Sequence, residues 1–343
     1  MIRGRHLCML ILPVALFVIP ACQPVQSKGE THATRVITDM TGRQVQIPGE
    51  VRRVVTAMYP IATQLMFLVS AQESLVGISD YDINDVMLRI YPPMKDIYRP
   101  ARSSGGEISV EEIIKMKPDV VFCHIRNARE HTLKNLDIAR VILRLENPEA
   151  LMQGILLVGD IMNRTEQACK VVNYYRSKLY YIKRRTAGIN PKKTVYFAGP
   201  AKLSTAGGDF FQNFVIEYAG GINVGREGRG GWCSISIEHL LAWNPHCIFI
   251  GNYGTASIES FTGDPRLRDI SAVKKGDVYM SPYYICSWDV PTPESVLGIM
   301  WLANILYPEA VAFDMAKEMK EFYTFCYGYT PKHDEIARVL GEK

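Results

Sequence analysis

ISVEEIIKMKPDVVF, residues 108–122, and ISIEHLLAWNPHCIFI, residues 235–250, are two versions of one phrase. In each, a serine opens a short helical pattern with a glutamate in its first turn, Glu111 or Glu238. A proline then ends the pattern, because its ring removes an N–H and clashes with the preceding turn. An apolar run follows at once, DVVFCH over 119–124 and HCIFIGN over 246–252. Runs this short and continuous read as strands buried on both faces. A helix feeding a buried strand is half of a βαβ unit. The phrase is a weak internal repeat, and it suggests two related α/β lobes.

Working outward, the same rhythm continues. RRVVTAM (52–58), SLVGI (74–78) and RVILRL (140–145) read as further strands of the first half. IATQLMFLVS follows Pro60, a residue favoured at a first helical position. In the second half, KTVYFAGP (193–200) and DVYMSP (277–282) read as strands. Between the halves, Ala168, Val171, Val172, Tyr175, Leu179 and Ile182 recur at helical spacing over 165–186. A helix of that length extends about 33 Å, which suits a strut joining two lobes; an ordinary amphipathic core helix is the alternative. The expected fold is α/β, with two Rossmann-like lobes around mostly parallel sheets, joined by a single long α-helix. The lobes are expected over 36–163 and 190–343, with the linker helix over 164–189.

The N-terminus reads as an address rather than as fold. Arg3 and Arg5 precede an apolar run from Leu7 to Ile19. As a helix that run spans about 20 Å, short of the ~30 Å hydrocarbon core of a bilayer. It ends in Ile19-Pro20-Ala21-Cys22, which resembles a bacterial lipobox, although Pro20 is unusual there. Residues 1–22 are therefore expected to be a lipoprotein signal with Cys22 as the lipidation site. Residues 23–35, polar and aperiodic, are expected to be a flexible tether. Ordinary cleavage near Ala21 is the alternative. Elsewhere no stretch approaches ~18 continuous apolar residues, so the expectation is a chain anchored to a membrane rather than crossing it.

The formal net charge of +4 is too small to argue for a nucleic-acid partner. Cys123, Cys169, Cys233, Cys247, Cys286 and Cys326 form no C-x-x-C pair and read mostly as small buried hydrophobes. No His, Asp and Glu cluster has the spacing of a bare-metal site. In open α/β sheets, ligands sit beyond the carboxyl ends of the strands. That rule selects Met58 and Tyr59, then Cys123, His124 and Arg126, then Pro200 and Lys202. It also selects Asn252 and Tyr253, and Tyr283, Tyr284, Cys286 and Trp288. The glycine-rich loops RPARSSGG (99–106) and GREGRGGW (225–232) add Arg99, Arg102, Arg226 and Arg229. Tyr59, Arg102, His124, Arg126, Tyr253, Tyr284 and Trp288 are the expected ligand-binding set. Aromatic faces and guanidinium forks suit a large, flat or anionic metal complex. Each of these residues also has an ordinary role as wall, core or solvated surface.

The chain resembles the class III periplasmic binding proteins that serve ABC importers of vitamin B12, ferric siderophores and haem. VITDMTGRQVQIPGEVRRVVTAMYP (36–60) is similar to that family's opening strand pair and first lobe strand. The repeated phrases look like its paired helix-proline-strand signatures, and PTPESVLGIMWLANILYPE (291–309) like its C-terminal helix. The resemblance implies a rather stiff molecule that holds its ligand between the lobes. It also implies a permease dimer with ATPase subunits as partner, met by one exposed glutamate on each lobe, Glu111 and Glu238.

The functional expectation is an extracytoplasmic, lipid-anchored solute-binding protein that delivers an iron complex or a corrinoid to its permease. No cofactor is expected beyond the lipid, and the cargo is expected to be a chelated iron or cobalt complex. A molybdate or tungstate oxyanion is the alternative within the same class. From other classes come a surface enzyme or chelatase of similar shape, and a docking lipoprotein without ligand. Neither a G-x-S-x-G elbow nor an H-E-x-x-H pair is present to support an enzyme.

Overall fold

The computed structural model describes residues 34–57, 59–100, 109–125 and 138–341. The signal region, Cys22, Met58, Arg102 and Arg126 lie outside the described residues. Strands β1 (Thr34–Thr38) and β2 (Gln44–Pro48) form an antiparallel hairpin. Its turn is organised by the buried Asp39, which accepts the N–H groups of Thr41 at 2.9 Å and Arg43 at 3.1 Å. Asp39 also pairs with the Arg43 guanidinium at 2.8 Å and accepts the Ile142 N–H at 3.3 Å, which ties the hairpin to the first lobe.

The first lobe contains β3 (Val54–Val55), α1 (Pro60–Leu68), β4 (Leu75–Gly77), α2 (Asp85–Ile90), α3 (Val110–Lys115), β5 (Val120–His124) and β6 (Ala139–Leu143). Its sheet runs β4-β3-β5-β6 and is parallel throughout. Helices α4 (Pro148–Ile161) and α5 (Thr165–Thr186) follow.

The second lobe contains β7 (Thr194–Ala198), β8 (Ser204–Ala206), α6 (Phe211–Tyr218), β9 (Ile222–Asn223), β10 (Trp232–Ser234), α7 (Ile237–Trp243), β11 (Cys247–Ile250), α8 (Ile258–Thr262), α9 (Ser271–Lys275) and β12 (Val278–Met280). Helices α10 (Ser295–Leu306), α11 (Met315–Tyr327) and α12 (His333–Leu340) close the chain. Strands β7, β11 and β12 are parallel, and β9 runs parallel to the start of β7. Strands β8 and β10 add an antiparallel edge that the sequence reading does not contain. The reason is the short connection from β7 to β8, which can make a hairpin but is too short for a parallel crossover.

Helix α5 buries Ala168, Val171, Val172, Tyr175, Leu179 and Ile182, the same stripe that its spacing predicts. It packs on α4 and α10, and the Tyr175 hydroxyl donates to the Pro293 carbonyl. One hydrophobic core, holding Val54 and Phe122 from the first lobe and Val195 and Phe249 from the second, continues through this face. The helix thus bridges the lobes as part of a shared core and is not a free-standing strut. Cys123, Cys247 and Cys326 are buried free thiols. Among the described residues, no helix is long and apolar enough to cross a membrane.

Candidate functional site

A cleft of about 360 Å³ opens between the lobes. Tyr59, His124 and Glu146 line it on one side, and Asp209, Phe210, Gln212, Trp232 and Tyr253 on the other. On the first lobe the site grows from strand ends. Tyr59 follows β3 as the residue before α1, His124 ends β5, and Glu146 lies just past β6. The Tyr59 and His124 rings pack with centroids 4.7 Å apart and planes tilted by 46°. His124 Nε2 lies 3.6 Å from Glu146 Oε1. Hydrogen bonding to His124 holds the Glu146 carboxyl below its ordinary range. Burial, reinforced by the charge of Glu146, drives the Tyr59 hydroxyl upward, so Tyr59 presents a neutral phenol.

The second-lobe wall is aromatic. The Trp232 ring meets Phe210 edge-on at 4.7 Å and lies 6.1 Å from Tyr253. Gly199 makes room for it, since a Cβ there would come within 2.2 Å of the indole. Tyr253 is 44% exposed, yet its hydroxyl turns inward and donates to Asp289 Oδ2 at 2.9 Å. Gln212 Nε2 donates to that hydroxyl at 3.1 Å and to Asp289 at 3.3 Å. Asp289 is fully buried, and burial raises its carboxyl. Asp209 accepts the Gly230 N–H at 3.0 Å, which closes the glycine-rich loop and lowers the Asp209 carboxyl.

The structure brings Tyr59, His124 and Tyr253 together in this cleft. Tyr284 and Trp288 are a correction: neither lines it. Trp288 is fully buried, and Tyr284 packs on Tyr323 with centroids 4.8 Å apart. The chain after β12 turns inward because the fully buried Glu294 accepts the N–H groups of Ile285 at 3.0 Å and Cys286 at 2.6 Å. Full burial pushes the Glu294 carboxyl up to about 7. Several other strand-end and loop side chains have structural partners. Lys202 pairs with Asp264 at 2.5 Å, and Arg99 with Asp80 at 3.4 Å. Arg226 pairs with Glu227 at 3.4 Å, and Arg229 donates to the carbonyls of Arg226 at 2.6 Å and Gly228 at 2.9 Å.

Glu146, Phe210, Trp232 and Asp289 belong to the site and escaped sequence reasoning. Glu146 obeys the strand-end rule, but the apolar pattern of RVILRL extends to Leu145, two residues past the end of β6 at Leu143, and masks it. Trp232 carried a signal as the bulky residue closing GREGRGG. Glu111 and Glu238 occupy matched, exposed positions in the first turns of α3 and α7. Ser109 caps α3 through the Glu112 N–H at 3.4 Å, and Ser236 caps α7 through the His239 N–H at 3.3 Å. Both carboxyls lie below their ordinary range, Glu111 chiefly through the Ser109 hydroxyl and Glu238 chiefly through its own backbone N–H.

Residues 55–284 match the family of periplasmic binding proteins. Over 339 residues the chain is 27% identical to the molybdate-binding protein MolA of Haemophilus influenzae, covering 89% of this chain and 94% of that one. It is 23% identical over 250 residues to a vitamin B12-binding protein of Yersinia pestis, covering 72% of this chain and 81% of that one. A periplasmic solute binding protein from Veillonella parvula superposes with a TM-score of 0.79 at 25% identity, covering 90% of this chain and 97% of that one. These relatives are named as binding proteins. With the family match extending over most of a two-lobed chain that has a cleft between its sheets, this protein belongs to the periplasmic binding protein family.

Proposed function

We propose that the chain is the extracytoplasmic solute-binding component of an ABC importer, anchored at Cys22, and that it carries a chelated metal complex. The observation that supports this cargo is the pair of aromatic walls. Tyr59 and His124 face the cleft from one lobe, and Phe210, Trp232 and Tyr253 from the other. Such faces match a flat or macrocyclic complex of iron or cobalt. Glu146 and Asp209, with carboxyls below their ordinary range, disfavour a small bare anion beside them. Glu111 and Glu238 are the proposed contacts to the two permease subunits.

A second reading is a molybdate or tungstate cargo. It draws on the 27% identity to MolA across nearly its whole length. Among the described lining residues there is no lysine or arginine to hold an oxyanion. Metal analysis and an absorbance spectrum of the protein purified from its native host test the proposal. Iron or cobalt with a chelate spectrum supports it; molybdenum or tungsten alone rejects it in favour of the second reading.

A further inference from the structure

Helix α5 carries a face that the cleft does not use. Its outer side is cationic and aromatic in the second half. Arg176, Tyr180 and Arg184 stand four residues apart in one stripe, with Tyr181, Lys183 and Arg185 beside them. All six are exposed, Tyr180 by 62%. Tyr180, Tyr181, Arg184 and Arg185 line a surface groove of about 410 Å³, and the Arg184 guanidinium lies 5.8 Å from the centre of the Tyr180 ring. Lys170 pairs with Glu166, Lys178 with Glu318, and Arg185 donates to the Ala310 carbonyl at 2.5 Å, but among the described residues no carboxylate pairs with Arg176, Lys183 or Arg184. Unpaired cations interleaved with exposed tyrosines have the chemistry that settles at anionic lipid headgroups, the tyrosine rings at headgroup depth and the cations against phosphate.

The start of the described chain is tied to the C-terminal end of α4, just before this helix. Arg35 bonds the Asp160 carboxylate and the Ile161 carbonyl, each at 3.1 Å, immediately before α5 begins at Thr165. Eleven residues lie between Cys22 and Thr34, so the reach is at most about 40 Å. From Thr165 to Arg184 the helix runs about 30 Å. A membrane that holds Cys22 is therefore within reach of the whole outer face.

We infer that the outer face of α5, through Arg176, Tyr180, Lys183 and Arg184, rests on the anionic phospholipid surface to which the chain is anchored. This inference rests on the proposed anchor at Cys22. It gives the free protein a resting orientation on the bilayer, separate from its engagement with the permease. Each cation held at such a surface is worth roughly fivefold in partitioning, and salt screens it.

The test uses the full, processed chain with vesicles of phosphatidylcholine alone or of phosphatidylcholine with phosphatidylglycerol. Flotation reports attachment, and acetylation footprinting reports the face, with Lys115 and Lys274 as references. The expected result is flotation with both vesicle types, with Lys183 protected severalfold only when phosphatidylglycerol is present. High salt, or Arg176→Glu with Arg184→Glu, should abolish the protection without moving the thermal midpoint. Flotation with both but no change at Lys183 overturns the resting face and leaves the anchor standing. Equal protection on both vesicle types points to contact between copies of the chain and also overturns it. Salt-sensitive flotation with anionic vesicles alone, with Lys183 protected, supports the face and removes the anchor. Flotation with neither removes both.

Discussion

The hydroxyl of Tyr253 donates to the buried carboxylate of Asp289 at 2.9 Å, so an exposed ring of the cleft wall is fastened from inside the core. Tyr253→Phe keeps the ring and removes this donor from a buried acceptor. Its expected cost is about 1–3 kcal/mol of stability, read as a lower thermal midpoint, with ligand affinity changed less than in Tyr253→Ala. An unchanged midpoint would show that the bond holds nothing.

Glu294 predicts a pH dependence. Its carboxyl is raised from 4.5 to about 7 by full burial. Its contribution is therefore fully present below pH 4.5 and is lost as pH rises through about 7, by up to about 3 kcal/mol. Glu294→Gln cannot ionise and escapes that loss. The midpoint of the variant relative to wild type should rise between pH 4.5 and about 7. A constant difference across that window contradicts the shift.

Charge reversal at Glu111 and Glu238 separates docking from capping. Both helices keep their serine caps in Glu111→Arg and Glu238→Arg. The double variant should fold and bind ligand as wild type does while losing uptake through its permease. Full uptake by that variant would rule out the docking role.

Periodicity made most of the fold legible. The α5 stripe from Ala168 to Ile182 and the two helix-proline-strand phrases appear in the structure as the sequence suggests. Strands β8 and β10, three residues each, are too short to carry a pattern. The cleft was legible where a side chain sits at the carboxyl end of a strand, as with His124 at the end of β5. It was illegible where a distant buried group sets the direction of a loop. Nothing local to Tyr284 and Trp288 says that Glu294 draws their backbone inward. Asp289 was invisible for the same reason, because its role depends on Tyr253, which α8, α9 and β12 separate from it in the chain.

The central claim is that the aromatic cleft captures a metal chelate, and titration of the full chain tests it most directly. Intrinsic fluorescence is followed with haemin, cyanocobalamin, a ferric catecholate and molybdate, in wild type, Trp232→Ala and Trp288→Phe. One chelate should bind once per chain. Trp232→Ala should weaken it by roughly thirtyfold, about 2 kcal/mol, whereas Trp288→Phe, altered only in the core, should bind it nearly as wild type does. Tight binding of molybdate, unaffected by Trp232→Ala and with no chelate bound, would contradict the claim.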